Sequence, residues 1–436
     1  MPGPGLGQGR EVVRLLGLAA LVGLGAGLAA VAYLSVEHGL DHLVWDSVPE
    51  QFGWSEPAAW WVVLVLVAGG LGVFAASKLP GHGGHSPLDG FKLDIGPAHV
   101  ASALLAAICS LVAGAVLGPE APLLAAGTAV GAALAARATP VARQLAMTCG
   151  AAAAMGMIFG NPLITVILLL EAAVVKGAQG GLAALRTILP VLVALGFGYA
   201  LQVGFTDVPG VGSTELAVPG LPPYPTLSAG DLLAAVPTAL VAGLIAALAI
   251  EVGRPVRVWC SPRPLAGLMV AGLIVAALAL VVQYSTTLSV DAVLFSGQSA
   301  IPEVLTVTSV GTLLLVGVAK SLAYSVSLGG GFRGGMIFPA VYLGVVVGTI
   351  ASLVLPSASL SAMVAAGIAS GAAAALRLPI TSTMLAVLLC AGSGLAITTP
   401  AIVGACVGLL VRVAADSWMA KGEADQPAVE AAPLGA

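Results

Sequence analysis

A glutamate flanked by prolines stands in an uncharged stretch at Gly118-Pro119-Glu120-Ala121-Pro122. A second Gly-x-x-x-Pro turn, without the carboxylate, follows at Gly335-Met336-Ile337-Phe338-Pro339. Proline suits the first turn of a helix, where its missing N–H is no loss, so both turns predict helix starts. The second helix is expected from about Ile337 through Gly348. A helix start offers free N–H groups and the positive end of the macrodipole, a ready anion site. A carboxylate there can block the site as an anion mimic and leave it once protonated. The bland alternative is a first-turn glutamate that complements the dipole and does nothing else.

Two further features have the same kind of chemistry. Gly81-His82-Gly83-Gly84-His85 is a Gly-rich turn whose backbone could offer N–H groups to an anion, or be only a polar loop. His82, His85 and Asp89 have no third strong ligand at metal spacing, so no metal is expected. Glu171 closes the apolar run 162–170, with Lys176 five residues later. It reads either as a helix-end glutamate near the interface or as a second carboxylate on a proton path.

The elements that position these residues belong to a membrane. Hydrophobic residues make up 59% of the 436-residue chain and charged residues 8%, far from a soluble domain. Apolar runs of spanning length cover about 12–34, 58–77, 98–117, 183–203, 230–250, 264–283 and 307–328, then 336–355, 358–376 and 379–414. The runs 120–136 and 162–175 are short or broken by Gly and Pro, which predicts half-spans and tilted helices. Arg10 and Arg14 precede the first run, which is expected to be a retained helix, with a cleaved leader as the alternative.

The two turns are also a repeat. At an offset of 217 residues Gly114 meets Gly331, Gly118 meets Gly335, and Gly127, Gly131 and Gly150 meet Gly344, Gly348 and Gly367. Five of the seven glycines between 114 and 162 match, where 57 in 436 gives roughly one by chance. Pro162 meets Pro379 as well. The expected organisation is a first membrane repeat over 11–205, a linker over 206–229, a second repeat over 230–416 and a short tail over 417–436.

Segments 35–57, 204–229 and 284–306 carry Asp and Glu but no Lys or Arg, whereas Arg137, Arg143, Arg254, Arg257, Arg263 and Lys421 lie in other connections or the tail. The positive-inside rule then puts both termini and the 253–263 connection in the cytoplasm of a multi-pass protein of the inner (plasma) membrane. Cys109, Cys149, Cys260, Cys390 and Cys406 lie singly and read as buried small hydrophobes.

These motifs resemble the CLC family of chloride channels and proton/chloride exchangers. The stretch at 118–122 resembles the family's G-K/R-E-G-P with its gating glutamate, which maps onto Glu120. The stretch at 335–339 resembles its G-x-F-x-P, whose amides bind chloride and map onto Met336 and Ile337. The 81–85 turn is similar to the family's G-S/H-G-I/V-P, mapping the anion-facing residue onto His82, and the backbone of Gly83 and Gly84 beside it is a further candidate for anion binding. Asn161-Pro162 with Glu171 resembles its N-A-P-L segment. The run from Gly331 together with Leu-Gly-Pro-Glu-Ala-Pro is similar to a divergent bacterial branch of ion-transport proteins.

The likeness implies an all-α polytopic membrane protein of tilted and broken helices in two inverted repeats, a homodimer with one pathway per subunit. It implies transport of chloride or a related small anion, voltage-gated chloride channel or antiporter, with no cofactor, no enzyme activity and no nucleic-acid partner. This chain departs from the pattern at Pro119, Ala121, His85 and Ile337. Ala172 stands where exchangers often carry a proton glutamate, and the family's late tyrosine has no counterpart, Tyr342 being the last. Passive conduction is therefore favoured, with a proton-coupled chloride or fluoride antiporter as the alternative. An intramembrane serine protease at Ala391-Gly392-Ser393-Gly394 is weaker, because all five histidines lie in the first quarter of the chain.

Overall fold

The computed structural model describes residues 6–54, 56–90, 95–175, 182–205, 217–355 and 358–424. Lys176, the first half of the expected linker and the last residues of the expected tail lie outside that set.

Helices follow one another with no strand among the described residues. The first half holds α1 (Leu6–His42), α2 (Val48–Gln51), α3 (Ala59–Ala76), α4 (Pro97–Val112), α5 (Glu120–Leu134), α6 (Pro140–Phe159), α7 (Pro162–Val175) and α8 (Leu182–Gly204). The second holds α9 (Ala229–Cys260), α10 (Pro264–Ser285), α11 (Ile301–Thr306), α12 (Val310–Gly330), α13 (Ile337–Val354), α14 (Leu360–Leu376), α15 (Pro379–Leu389) and α16 (Thr398–Ala424). Among the described residues nine helical segments are long and apolar enough to cross a membrane. Helices α4, α5, α7, α14 and α15 are apolar but shorter, the half-span pattern that Gly and Pro interruptions produce.

Three boundaries differ from the sequence expectation. Helix α6 spans 20 residues and was absent from the expected runs, because Arg143, Gln144 and many Ala and Gly lower its hydropathy to 1.2. The runs 98–117 and 358–376 contain the short helices α4 and α14. The run 379–414 divides into α15 and α16, since Gly394 adopts φ 104°, which ends helical propagation.

The repeat is physical as well as sequential. Gly127 and Gly150 let α5 and α6 touch so closely that a Cβ on either would strike the other's carbonyl. Gly344 and Gly367 do the same for α13 and α14. Small residues are what allow such approach in a membrane, where lipid gives helices no hydrophobic reason to associate. Gly114 and Gly331 both have positive φ, 89° and 109°. Gly118 and Gly335 pair with each other as an antiparallel bridge, each N–H donating to the other's carbonyl at 2.9 and 2.5 Å. The two helix-start turns are thus joined back to back.

Candidate functional site

Glu120 opens α5 and is 0% exposed. Its side chain reaches the start of α13, where Oε1 accepts the N–H groups of Ile337 and Phe338, both at 3.1 Å. These are unpaired first-turn donors, and α13 has no side chain of its own capping them. The second oxygen, Oε2, is buried and has no hydrogen-bond partner. It lies where a Cβ on Gly118 or Gly335 would stand, so both glycines leave room for this carboxylate.

The sequence expectation named the amides of Met336 and Ile337. The contacts come from Ile337 and Phe338, one residue further into the helix. Met336 is the N-cap, and its carbonyl accepts the buried Tyr324 hydroxyl at 2.8 Å. Nothing in the Gly-x-x-x-Pro pattern separates these two registers, because several first-turn N–H groups are free in any helix.

The 81–85 turn is brought to the same region, but three of its amides are already bonded to other groups of the protein. His82 N–H donates to Leu79 O, Gly83 N–H to Ser102 Oγ at 2.6 Å, and Gly84 N–H to Gly81 O. The His82 side chain is exposed. What ties the turn to the site is Arg333, a residue the sequence reading passed over. Its Nε donates to Gly83 O at 3.0 Å and its backbone N–H to Ser110 Oγ at 2.8 Å. Val116 N–H donates to Ser327 Oγ at 3.0 Å. The chain before α5, the chain before α13 and the 81–85 turn are therefore one hydrogen-bonded unit.

Glu171 lies elsewhere, at the start of α15. Oε1 accepts Ile380 N–H at 2.8 Å, and Oε2 accepts both Thr381 N–H and Thr381 Oγ at 2.7 Å. The two carboxylates therefore do the same thing, filling an uncapped helix start in the second half from the first half. They differ in saturation. A charge-assisted hydrogen bond contributes about 1.5–3 kcal/mol, while burying a carboxylate costs several kcal/mol even after relaxation. Three bonds over both oxygens offset that cost at Glu171. Two bonds on one oxygen offset less of it at Glu120.

Ser393, the serine of the protease alternative, is buried and its Oγ has no hydrogen-bond partner. Among the described residues no base is hydrogen-bonded to it.

A cavity of about 410 Å³ opens beside this unit, lined by Ala121 and Pro122 at the start of α5 and by Gly335 and Met336 at the start of α13. Two joined helix starts, a buried carboxylate on the first-turn amides of one of them and an adjoining cavity thus lie together.

Comparison with known proteins agrees with that geometry. Curated relatives include proteins of Escherichia fergusonii and Escherichia coli named "Putative ion-transport protein YfeO", each 26% identical over 76% of this chain and 77% of theirs. Among solved structures, a slow cyanobacterial Cl⁻/H⁺ antiporter is similar at a TM-score of 0.70 and 18% identity, covering 95% of this chain and 99% of that one. A CLC-type fluoride/proton antiporter is similar at 0.69 and 15% identity, over 92% and 96% of the two chains. These likenesses show the shared fold. The family described as voltage gated chloride channel matches residues 82–413, and the chain belongs to that family.

Proposed function

We propose that this protein carries chloride or a related small anion across the membrane through the start of α13, with Glu120 as the gate. The observation that carries this reading is the Glu120 carboxylate, bound by the amides of Ile337 and Phe338 with its other oxygen buried and unpaired. It occupies the place an anion would take, and it is held too incompletely to be a permanent cap. An incoming anion or protonation moves it aside, and the amides then receive the ion. The backbone of the 81–85 turn supports this site as a wall that Arg333 holds in place.

The reading extends to the family's other properties. Reciprocal pairing of Gly118 with Gly335 is what a local two-fold axis produces, which supports inverted repeats. Family membership supports a homodimer. The Arg254, Arg257 and Arg263 end of the protein faces the cytoplasm by the positive-inside rule. Glu171 acts in this reading as a helix clamp, its two oxygens accepting three donors from Ile380 and Thr381 at the start of α15. The proton-coupled antiporter is the second reading, favoured by the neighbours of known fold that exchange chloride or fluoride for protons.

Proteoliposomes loaded with chloride test both. Wild-type protein releases chloride down its gradient, and Glu120→Ala releases it at a rate that no longer depends on pH. Release that keeps its pH dependence in Glu120→Ala removes Glu120 from the gate. Uphill proton movement driven by a chloride or fluoride gradient selects the antiporter over the channel.

A further inference from the structure

The cavity beside the two helix starts has a strongly basic wall. Arg254, Arg333, Arg377 and Arg412 line it together. Glu251 and Asp416 bind three of them in a chain. Arg254 Nε lies 3.0 Å from Glu251 Oε2, and Arg412 Nη2 lies 2.6 Å from Glu251 Oε1 and 2.7 Å from Asp416 Oδ1. Arg377 Nη2 lies 2.9 Å from Asp416 Oδ1. Asp89, at the rim, is paired with Arg257 at 2.7 Å. Four guanidinium groups against two carboxylates leave two positive charges uncompensated.

Two observations bear on how this excess is held. Arg412 is only 2% exposed, yet its Nε and Nη1 are buried without a hydrogen-bond partner. Glu251 and Asp416 both pair with Arg412 there, so it holds the two carboxylates in place and leaves the accessible charge to Arg254, Arg333 and Arg377. The second observation is Arg377, which ends α14 in the left-handed conformation at φ 61°. Its counterpart at the 217-residue offset is Gly160, which ends α6 at φ 59°. Glycine adopts that conformation without strain, whereas a side chain there costs about 1–2 kcal/mol. The second repeat holds an arginine against that cost, at the mouth of the cavity.

We propose that this arginine-lined vestibule binds a multiply charged oxyanion of the phosphate or pyrophosphate class, and that the bound oxyanion obstructs the pathway from this face. Guanidinium groups match the oxygens of phosphate better than a spherical halide. At about 410 Å³ the cavity is of small-molecule size, many times the ~30 Å³ share of one water. The obstruction rests on the transport reading above; the binding does not.

The test uses purified full-length protein titrated calorimetrically with inorganic pyrophosphate in chloride-free buffer. Wild type binds, and Arg377→Gly, which keeps the backbone conformation and removes the charge, binds about ten-fold more weakly for the loss of one charge-assisted contact. Arg377→Lys, which keeps the charge, recovers most of that loss. No binding by wild type, equal binding by Arg377→Gly, or displacement by equimolar chloride overturns the oxyanion site. In proteoliposomes, pyrophosphate on the arginine-bearing face slows chloride release and pyrophosphate on the other face does not. Equal slowing from both faces overturns the obstruction. If wild type carries no chloride at all, the transport reading fails while the titration still reports on the site.

Discussion

Glu120 and Glu171 are two versions of one contact. Each is a carboxylate from the first repeat that fills the start of a helix in the second. The helix that each one serves, α13 or α15, has no polar N-cap of its own, with Met336 and Leu378 at those positions. The first repeat handles the corresponding start of α7 locally, where Asn161 Oδ1 accepts Leu163 N–H at 2.9 Å; its counterpart at the 217-residue offset is Leu378. Replacing a local cap by a distant carboxylate locks the repeats together. Where the carboxylate is fully bonded, as at α15, the result is a clamp. Where it is half-bonded and packed into the space that two glycines leave, as at α13, the same device is the gate proposed above. The difference lies in the partners of one oxygen.

That contrast can be broken or sharpened by substitution. The largest expected effect is on transport: Glu120→Gln abolishes the pH dependence of chloride release and raises its rate at neutral pH by about ten-fold, equivalent to about 1.4 kcal/mol. The matching change Glu171→Gln preserves the pH dependence but lowers stability by about 2–4 kcal/mol, because an amide cannot accept all three donors of Ile380 and Thr381. Thermal unfolding in detergent and release rates together read this out, and a loss of pH dependence in Glu171→Gln would make it a proton-path residue after all.

A smaller effect is expected of Gly335→Ala. Its methyl group overlaps the site of Glu120 Oε2, so the carboxylate is displaced at a cost of about 1–3 kcal/mol. Chloride release then moves toward the Glu120→Gln behaviour, and unchanged gating in a folded Gly335→Ala protein would contradict the crowding argument. Smaller still, Leu378→Asn in the Glu171→Gln background restores about 1 kcal/mol by giving α15 the local cap that α7 has. No recovery in the melting temperature would show that α15 depends on Glu171 for more than capping.

Much of this was legible in the residues, for local reasons. A Gly-x-x-x-Pro turn encodes a helix start within five residues, and the lone charge at Glu120 marks which of the two starts differs. The repeat was readable because close helix contacts demand Gly at Gly127, Gly150, Gly344 and Gly367, and no larger residue fits. What the sequence concealed depends on distance or on balance. The clamp of Glu171 joins residues 209 and 210 positions apart, so nothing near Glu171 announces it. Helix α6 was missed because its burial between neighbours lets it be Ala- and Gly-rich instead of lipid-apolar. The amides of His82 and Gly83 looked free because their partners, Leu79 and Ser102, lie outside the turn. Arg333 read as one more polar residue in a Gly-rich run until its contact with Gly83 joined two turns 250 residues apart.

The most direct measurement is anomalous diffraction from bromide-soaked crystals of wild type and Glu120→Gln. Bromide within hydrogen-bond distance of the Ile337 and Phe338 N–H groups in Glu120→Gln, with the carboxylate in that place in wild type, is the predicted result. Bromide absent from those amides in a Glu120→Gln crystal that binds it elsewhere would contradict the claim that the carboxylate stands in for the transported anion.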